Sequence, residues 1–86
     1  MLEYHLDGFV FKPSKKKLKK YDVYKNGNYI TSFGARNYQQ YYDKIGHYSH
    51  LNHNDNKRRI NFHKRFQTGL KLEPYSATWF GSRYLW

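Results

Sequence analysis

Hydrophobic and polar positions alternate most clearly on either side of Asn26-Gly27. The two arms are Tyr21-Asp22-Val23-Tyr24-Lys25 and Asn28-Tyr29-Ile30-Thr31-Ser32-Phe33. A period of two marks a half-buried strand, and Asn-Gly supplies two residues that accept the positive φ of a type I′ turn. The pattern predicts a β-hairpin with a two-residue loop, with Val23 opposite Ile30, Tyr24 opposite Tyr29, and an end at Gly34. The period then changes. Tyr38, Tyr41, Tyr42 and Ile45 fall at i, i+3, i+4 and i+7. That spacing predicts a helix over residues 36–45 whose aromatic stripe packs on the hairpin, closed by Gly46.

Residues 46–54 (GHYSHLNHN) read as a polar loop, and Asp55 is placed to cap a helix over residues 56–67 that stops near Gly69. On a helical wheel Ile60, Phe62, His63 and Phe66 occupy one half, and Lys57, Arg58, Asn61, Lys64 and Arg65 the other. Pro74 breaks the chain and Ser76 can cap a short helix from Ala77 to Tyr84. Its aromatic end, Tyr84-Leu85-Trp86, should dock on the body. Near the N-terminus, Phe9-Val10-Phe11 is a strand or docking arm, broken by Lys12-Pro13-Ser14. The expected architecture is a small single α+β domain: a hairpin, with the N-terminal segment as a candidate third antiparallel strand, packed on two or three short helices. The chain divides into an apolar segment (1–11), a basic arm (12–20) and a compact α+β domain (21–86).

Composition sharpens this. Aromatic residues make up 21% of the 86 positions against 38% hydrophobic overall, so the core must be built mainly from rings. There is no cysteine, which removes disulfides and thiolate zinc sites as stabilisers. No apolar run approaches the roughly 20 residues of a membrane span. Sixteen Lys and Arg against six Asp and Glu give a formal charge of +10, which asks for a polyanionic partner. Nucleic acid is the foremost expectation, since each neutralised phosphate releases a counterion. Double-stranded DNA comes first, with single-stranded DNA or RNA as variants and no membrane. Lys15, Lys16, Lys17, Lys19 and Lys20 would supply a flexible cationic arm. Arg58, Arg59, Lys64 and Arg65, with Lys57 at the edge, would supply a fixed surface. Single strands would add stacking on Tyr24, Tyr29 or Phe33. The alternative class is a structural protein that self-associates, as a homodimer for example, or docks to another protein through its aromatic surface.

Chemistry is sparse. His47, His50 and His53 recur every three residues with Asp55 behind them, a set that could bind a metal only if the segment were helical. Gly46, Ser49, Asn52 and Asn54 argue for loop instead, so no metal is expected. A one-metal nuclease would place its general base on the hairpin, and the hairpin carries no His. With no phosphate-binding glycine loop and no nucleophile elbow, neither an enzyme nor a cofactor is expected.

Several short strings also occur together: Lys20-Tyr21-Asp22-Val23-Tyr24, Ser32-Phe33-Gly34-Ala35, Tyr38-Gln39-Gln40-Tyr41, Asp43-Lys44-Ile45-Gly46-His47-Tyr48-Ser49, His53-Asn54-Asp55-Asn56-Lys57-Arg58-Arg59 and Ser82-Arg83-Tyr84-Leu85-Trp86. In order and spacing, over about residues 13–86, the chain resembles small basic proteins of unknown function from giant double-stranded DNA viruses and some phages. It departs from them at Arg65-Phe66, where an Arg-His pair is frequent, and in its extra head, residues 1–11. The resemblance implies a viral protein made inside an infected cell, in the viral factory or nucleus, and packaged with the genome. It carries over no catalytic residue.

Overall fold

A computed structural model describes residues 2–66 and 72–86. Four strands, β1 (Tyr4–Leu6), β2 (Phe9–Pro13), β3 (Lys19–Lys25) and β4 (Asn28–Ala35), form one antiparallel meander in the order β1-β2-β3-β4. After a long connection, containing a 3-10 turn at Ser49–Leu51, come helices α1 (Asn56–Phe66) and α2 (Ala77–Tyr84). The α+β class is as expected. The sheet, however, is larger than a hairpin or three strands.

Both tight turns follow from their residues. Asn26 and Gly27 have φ of 52° and 80°, and Asp7 and Gly8, between β1 and β2, have φ of 55° and 82°. Asp-Gly is as good a type I′ signal as Asn-Gly. Tyr24 does face Tyr29, but a bulge at Val23/Tyr24 sets Val23 opposite Thr31 and leaves Ile30 as the extra residue. Gly34 does not end the strand. It has φ of 80°, and a Cβ there would lie 2.9 Å from Leu85 Cδ1 and 3.1 Å from Lys20 Cβ, so only glycine lets β4 reach Ala35 at this closeness.

The core lies on one face of the sheet. Phe9 and Phe11 on β2, Tyr21 and Val23 on β3 and Phe33 on β4 meet Phe80, Tyr84 and Leu85 of the α2 end. Phe80 stacks on Phe33 (5.4 Å between centroids) and presents edges to Phe9 and Phe11. Such ring pairs add about 0.5–1.5 kcal/mol each beyond area burial, which suits a core short of aliphatic residues. Ser76 Oγ accepts from the Trp79 amide and caps α2, and Tyr84 Oη donates to Asp7 Oδ2, tying the helix to the β1–β2 turn.

The segment expected as an apolar tail plus mobile arm is thus part of the sheet. Residues 14–18 connect β2 to β3 and are pinned by the buried Asp22. Its carboxylate accepts from Ser14 Oγ, Ser32 Oγ and the Lys15 amide. Burial alone would raise the pKa of Asp22, but those donors hold it below the usual value.

No helix forms over residues 36–45; Tyr38 and Tyr42 are 74% and 51% exposed, and of the stripe Ile45 packs against the core. A denser set of local bonds replaces the helix. Buried Asp43 accepts from the amides of Ile45, Gly46 and Tyr48 and from Tyr21 Oη, while Gln40 pairs with Asn52 through main chain and side chain. Asp side chains that satisfy nearby amides compete directly with helix bonding, and tyrosines are middling helix formers. The expected stop near Gly69 lies outside the described residues.

Candidate nucleic-acid interface

Helix α1 begins where Asp55 was expected to cap it: Asp55 Oδ1 accepts from the amides of Lys57 (3.0 Å) and Arg58 (3.3 Å). No residue of the helix is fully buried. It is held along one stripe by Trp86. The Phe62 ring stacks on the indole at 4.6 Å and 3°. Arg59 Nε donates to the Trp86 main-chain oxygen at 2.9 Å, and His63 Nε2 lies 3.2 Å from the same atom. Arg59 also sits over the Tyr41 ring at 5.2 Å. Arg59, expected to meet phosphate, is therefore chiefly an anchor. Neither it nor Arg58 pairs with Asp55, whose oxygen serves the amides. Ile60, expected on the packed half, is 45% exposed.

The remaining cations of α1 point outward. Lys57 and Lys64 are exposed. Arg58 donates to Gln39 Oε1 at 2.9 Å, and Arg65 lies against Phe66 at 4.8 Å. On the β2–β3 connection Lys15, Lys16 and Lys17 are exposed and Lys19 is half-buried. Lys16 Nζ donates to Tyr29 Oη at 3.1 Å, and that bond raises the lysine pKa. Lys20 does not belong with them: it is 1% exposed, and its ammonium donates to the Tyr38 carbonyl at 2.7 Å. Burial lowers its pKa to about 8, against the weaker opposite pull of Asp43.

Residues 36–39 link the two cationic groups, which sequence reasoning left separate. Arg36 donates to the carbonyls of Lys19, Ser14 and Lys16, fixing the lysine connection, and Gln39 holds Arg58. Arg36 was missed because a lone arginine in a presumed helix carries no signal of its own. Tyr38, expected in the stripe that packs on the hairpin, is 74% exposed. Of the proposed stacking rings, Phe33 is wholly buried, Tyr24 is half-buried beneath Lys12, and Tyr29 is exposed.

Four of the six carboxylates are used within the fold. Asp22 and Asp43 are buried, Asp55 caps α1 and Asp7 takes the Tyr84 hydroxyl. Among the described residues the only Lys or Arg ion pair is Lys12 with Glu3, at 3.6 Å. The surface charge is left largely uncompensated.

The four residues weighed as metal ligands are dispersed in role. His47 Nδ1 bonds Tyr4 Oη at 2.9 Å, and His50 lies exposed beside the Tyr48 ring. His53 Nδ1 accepts from the Asp55 amide, and desolvation, with Arg58 nearby, lowers the His53 pKa. No group of three His, Asp or Glu side chains that could hold a metal ion occurs among the described residues. None of the described helices is long and apolar enough to cross a membrane. No family model, curated protein or solved structure matches the chain.

Proposed function

We propose that this protein binds nucleic acid through phosphate contacts, with duplex DNA the first ligand to test. The observation that carries the reading is the sorting of charge: most carboxylates are turned inward or onto caps, and most cations are left outward without an acidic partner. The first turn of α1 adds Lys57 and Arg58, both exposed, beside the Asp55 carboxylate that already caps its amides. The surface comprises Lys15, Lys16 and Lys17 on the β2–β3 connection and Lys57, Arg58, Lys64 and Arg65 on α1. On the resemblance to small viral proteins, the setting we propose is genome organisation or packaging in an infected cell.

Anisotropy of a labelled random duplex of about 25 base pairs, across a salt series, tests this. Tight binding should fall linearly in log salt, and replacing Arg58 and Arg65 by Ala should lower the slope by up to about 1.8, or 0.9 per phosphate contact. No binding at low salt sinks the reading. Single strands are a second reading, favoured by the exposed rings of Tyr29 and Tyr38 among these cations. Oligo-dT would then compete better than duplex. A dimer in light scattering without salt-sensitive DNA binding would point instead to the structural class.

A further inference from the structure

A cleft of about 280 Å³ opens between α1, α2 and the end of β4. From α1 and the chain end come the rings of Phe62, Phe66 and Trp86; from α2 come the small residues Ala77, Thr78 and Gly81. A flat slot results, aromatic on one element and nearly featureless on the other. Lys20, 1% exposed, is the buried charged group of the lining, and Arg65 and Tyr38 are among its exposed members, Tyr38 at 74%.

Lys20 gives the cleft its chemistry. An ammonium has three donors, and this one makes a single bond, to the Tyr38 carbonyl. Among the described residues no carboxylate pairs with it: Asp43, the acid that influences it, is occupied by three amides and the Tyr21 hydroxyl. A buried cation with donors to spare, lining an aromatic slot, suits an occupant with a flat apolar face and an acceptor edge. The second cation, Arg65, suits an anionic group on the same occupant. A volume just under the ~300 Å³ of small ligand pockets limits that occupant to one base with its sugar.

We propose that the cleft holds one unpaired nucleotide of a single strand, its base in the slot with a carbonyl oxygen on Lys20 and its phosphate on Arg65. The proposal rests on the nucleic-acid reading above and adds a base-occupied pocket to a phosphate-binding surface. Aromatic stacking tolerates every base. The ammonium, a donor only, favours the carbonyl-bearing thymine, uracil, guanine and cytosine over adenine.

The test compares oligo-dT with an abasic strand of equal length, which offers the same phosphates and no base. Wild type should bind oligo-dT about tenfold more tightly at one salt concentration, the effect of one charge-assisted hydrogen bond or one stacked base. Gly81→Leu should abolish the difference while leaving duplex affinity within about twofold. Gly81 lines the cleft, and a Cβ there would meet no atom within 4 Å, so the new side chain starts in open space. If that variant is misfolded by circular dichroism, Lys20→Met reads the same loss. Equal affinity for oligo-dT and abasic strand in wild type, with salt-sensitive duplex binding intact, overturns the cleft and spares the phosphate surface. Absence of binding to any strand overturns both. Free thymidine monophosphate binding as tightly as oligo-dT would overturn the strand as the occupant.

Discussion

Replacing Lys20 with Met should stabilise this protein at neutral pH, because the native ammonium sits where a charge is disfavoured. It is 1% exposed, has one acceptor, and its pKa is pushed from 10.5 to about 8. At 1.36 kcal/mol per pH unit, holding the proton costs the folded state about 3 kcal/mol at pH 7. Met keeps most of the stem against Gly34 and removes the charge. It also forfeits the bond to the Tyr38 carbonyl, about 1.5–3 kcal/mol for a charged donor. That carbonyl belongs to an exposed turn residue and can take water instead, so the loss falls at the lower end. The net expectation is a gain of about 1–2 kcal/mol. The pH dependence is more diagnostic. Between about pH 8 and 10.5 the unfolded chain holds the Lys20 proton and the folded chain does not, so wild-type stability rises with pH across that window. Urea unfolding at pH 7 and 9.5 should therefore show the wild type gaining about 2 kcal/mol relative to the variant. A variant less stable than wild type by more than 1 kcal/mol, with a gap independent of pH, would refute the argument.

Gly34→Ala should cost about 3 kcal/mol, combining a residue forced to φ near 80° with a methyl 2.9 Å from buried Leu85, as thermal unfolding would show. Asp55→Ala should cost about 1 kcal/mol by removing the cap from α1; since the helix is held mainly by Trp86, hydrogen exchange should rise there and not in the sheet. Stability should fall above about pH 10. Burial and bonds to Asp43 and Asp7 keep Tyr21 and Tyr84 protonated in the folded state, Tyr84 up to about 12. The unfolded chain ionises first, and part of the tyrosine absorbance change should appear only on unfolding.

The most regular parts of the fold were legible because their signals are local. Asn26-Gly27 fixed one turn, and Asp55 and Ser76 capped helices where capping residues belong. Asp7-Gly8 carried an equal turn signal, hidden because the β1 arm is only three residues long. The tyrosine stripe of residues 36–45 misled because periodicity records spacing and not competition. Asp43 and Gln40 offered bonds that a helix could not match, through partners up to 22 residues away. Of the proposed binding residues, Lys20 and Arg59 looked like their neighbours in sequence. Only long-range contacts, with Tyr38 and Trp86, distinguish a buried or anchoring cation from an outward one.

The same contacts explain how so small a domain tolerates its charge. A formal +10 favours the unfolded chain by self-repulsion, and the ordinary remedy is to pair cations with surface acids. Here the acids organise backbone instead: Asp22 the β2–β3 connection, Asp43 the long connection, Asp55 the helix start. Each accepts several neutral donors, an arrangement less sensitive to salt than an exposed ion pair. Most of the cations are thereby left without an acidic partner, and the repulsion among them is stored on the surface. A polyanion that neutralised them would lower that repulsion and so stabilise the fold it bound. Thermal stability should accordingly rise with duplex added at low salt, and the rise should vanish as salt screens both terms. A melting temperature insensitive to duplex at low salt, in a protein that binds it, would show that the cations are too far apart to repel and that the inward turn of the acids has no electrostatic consequence.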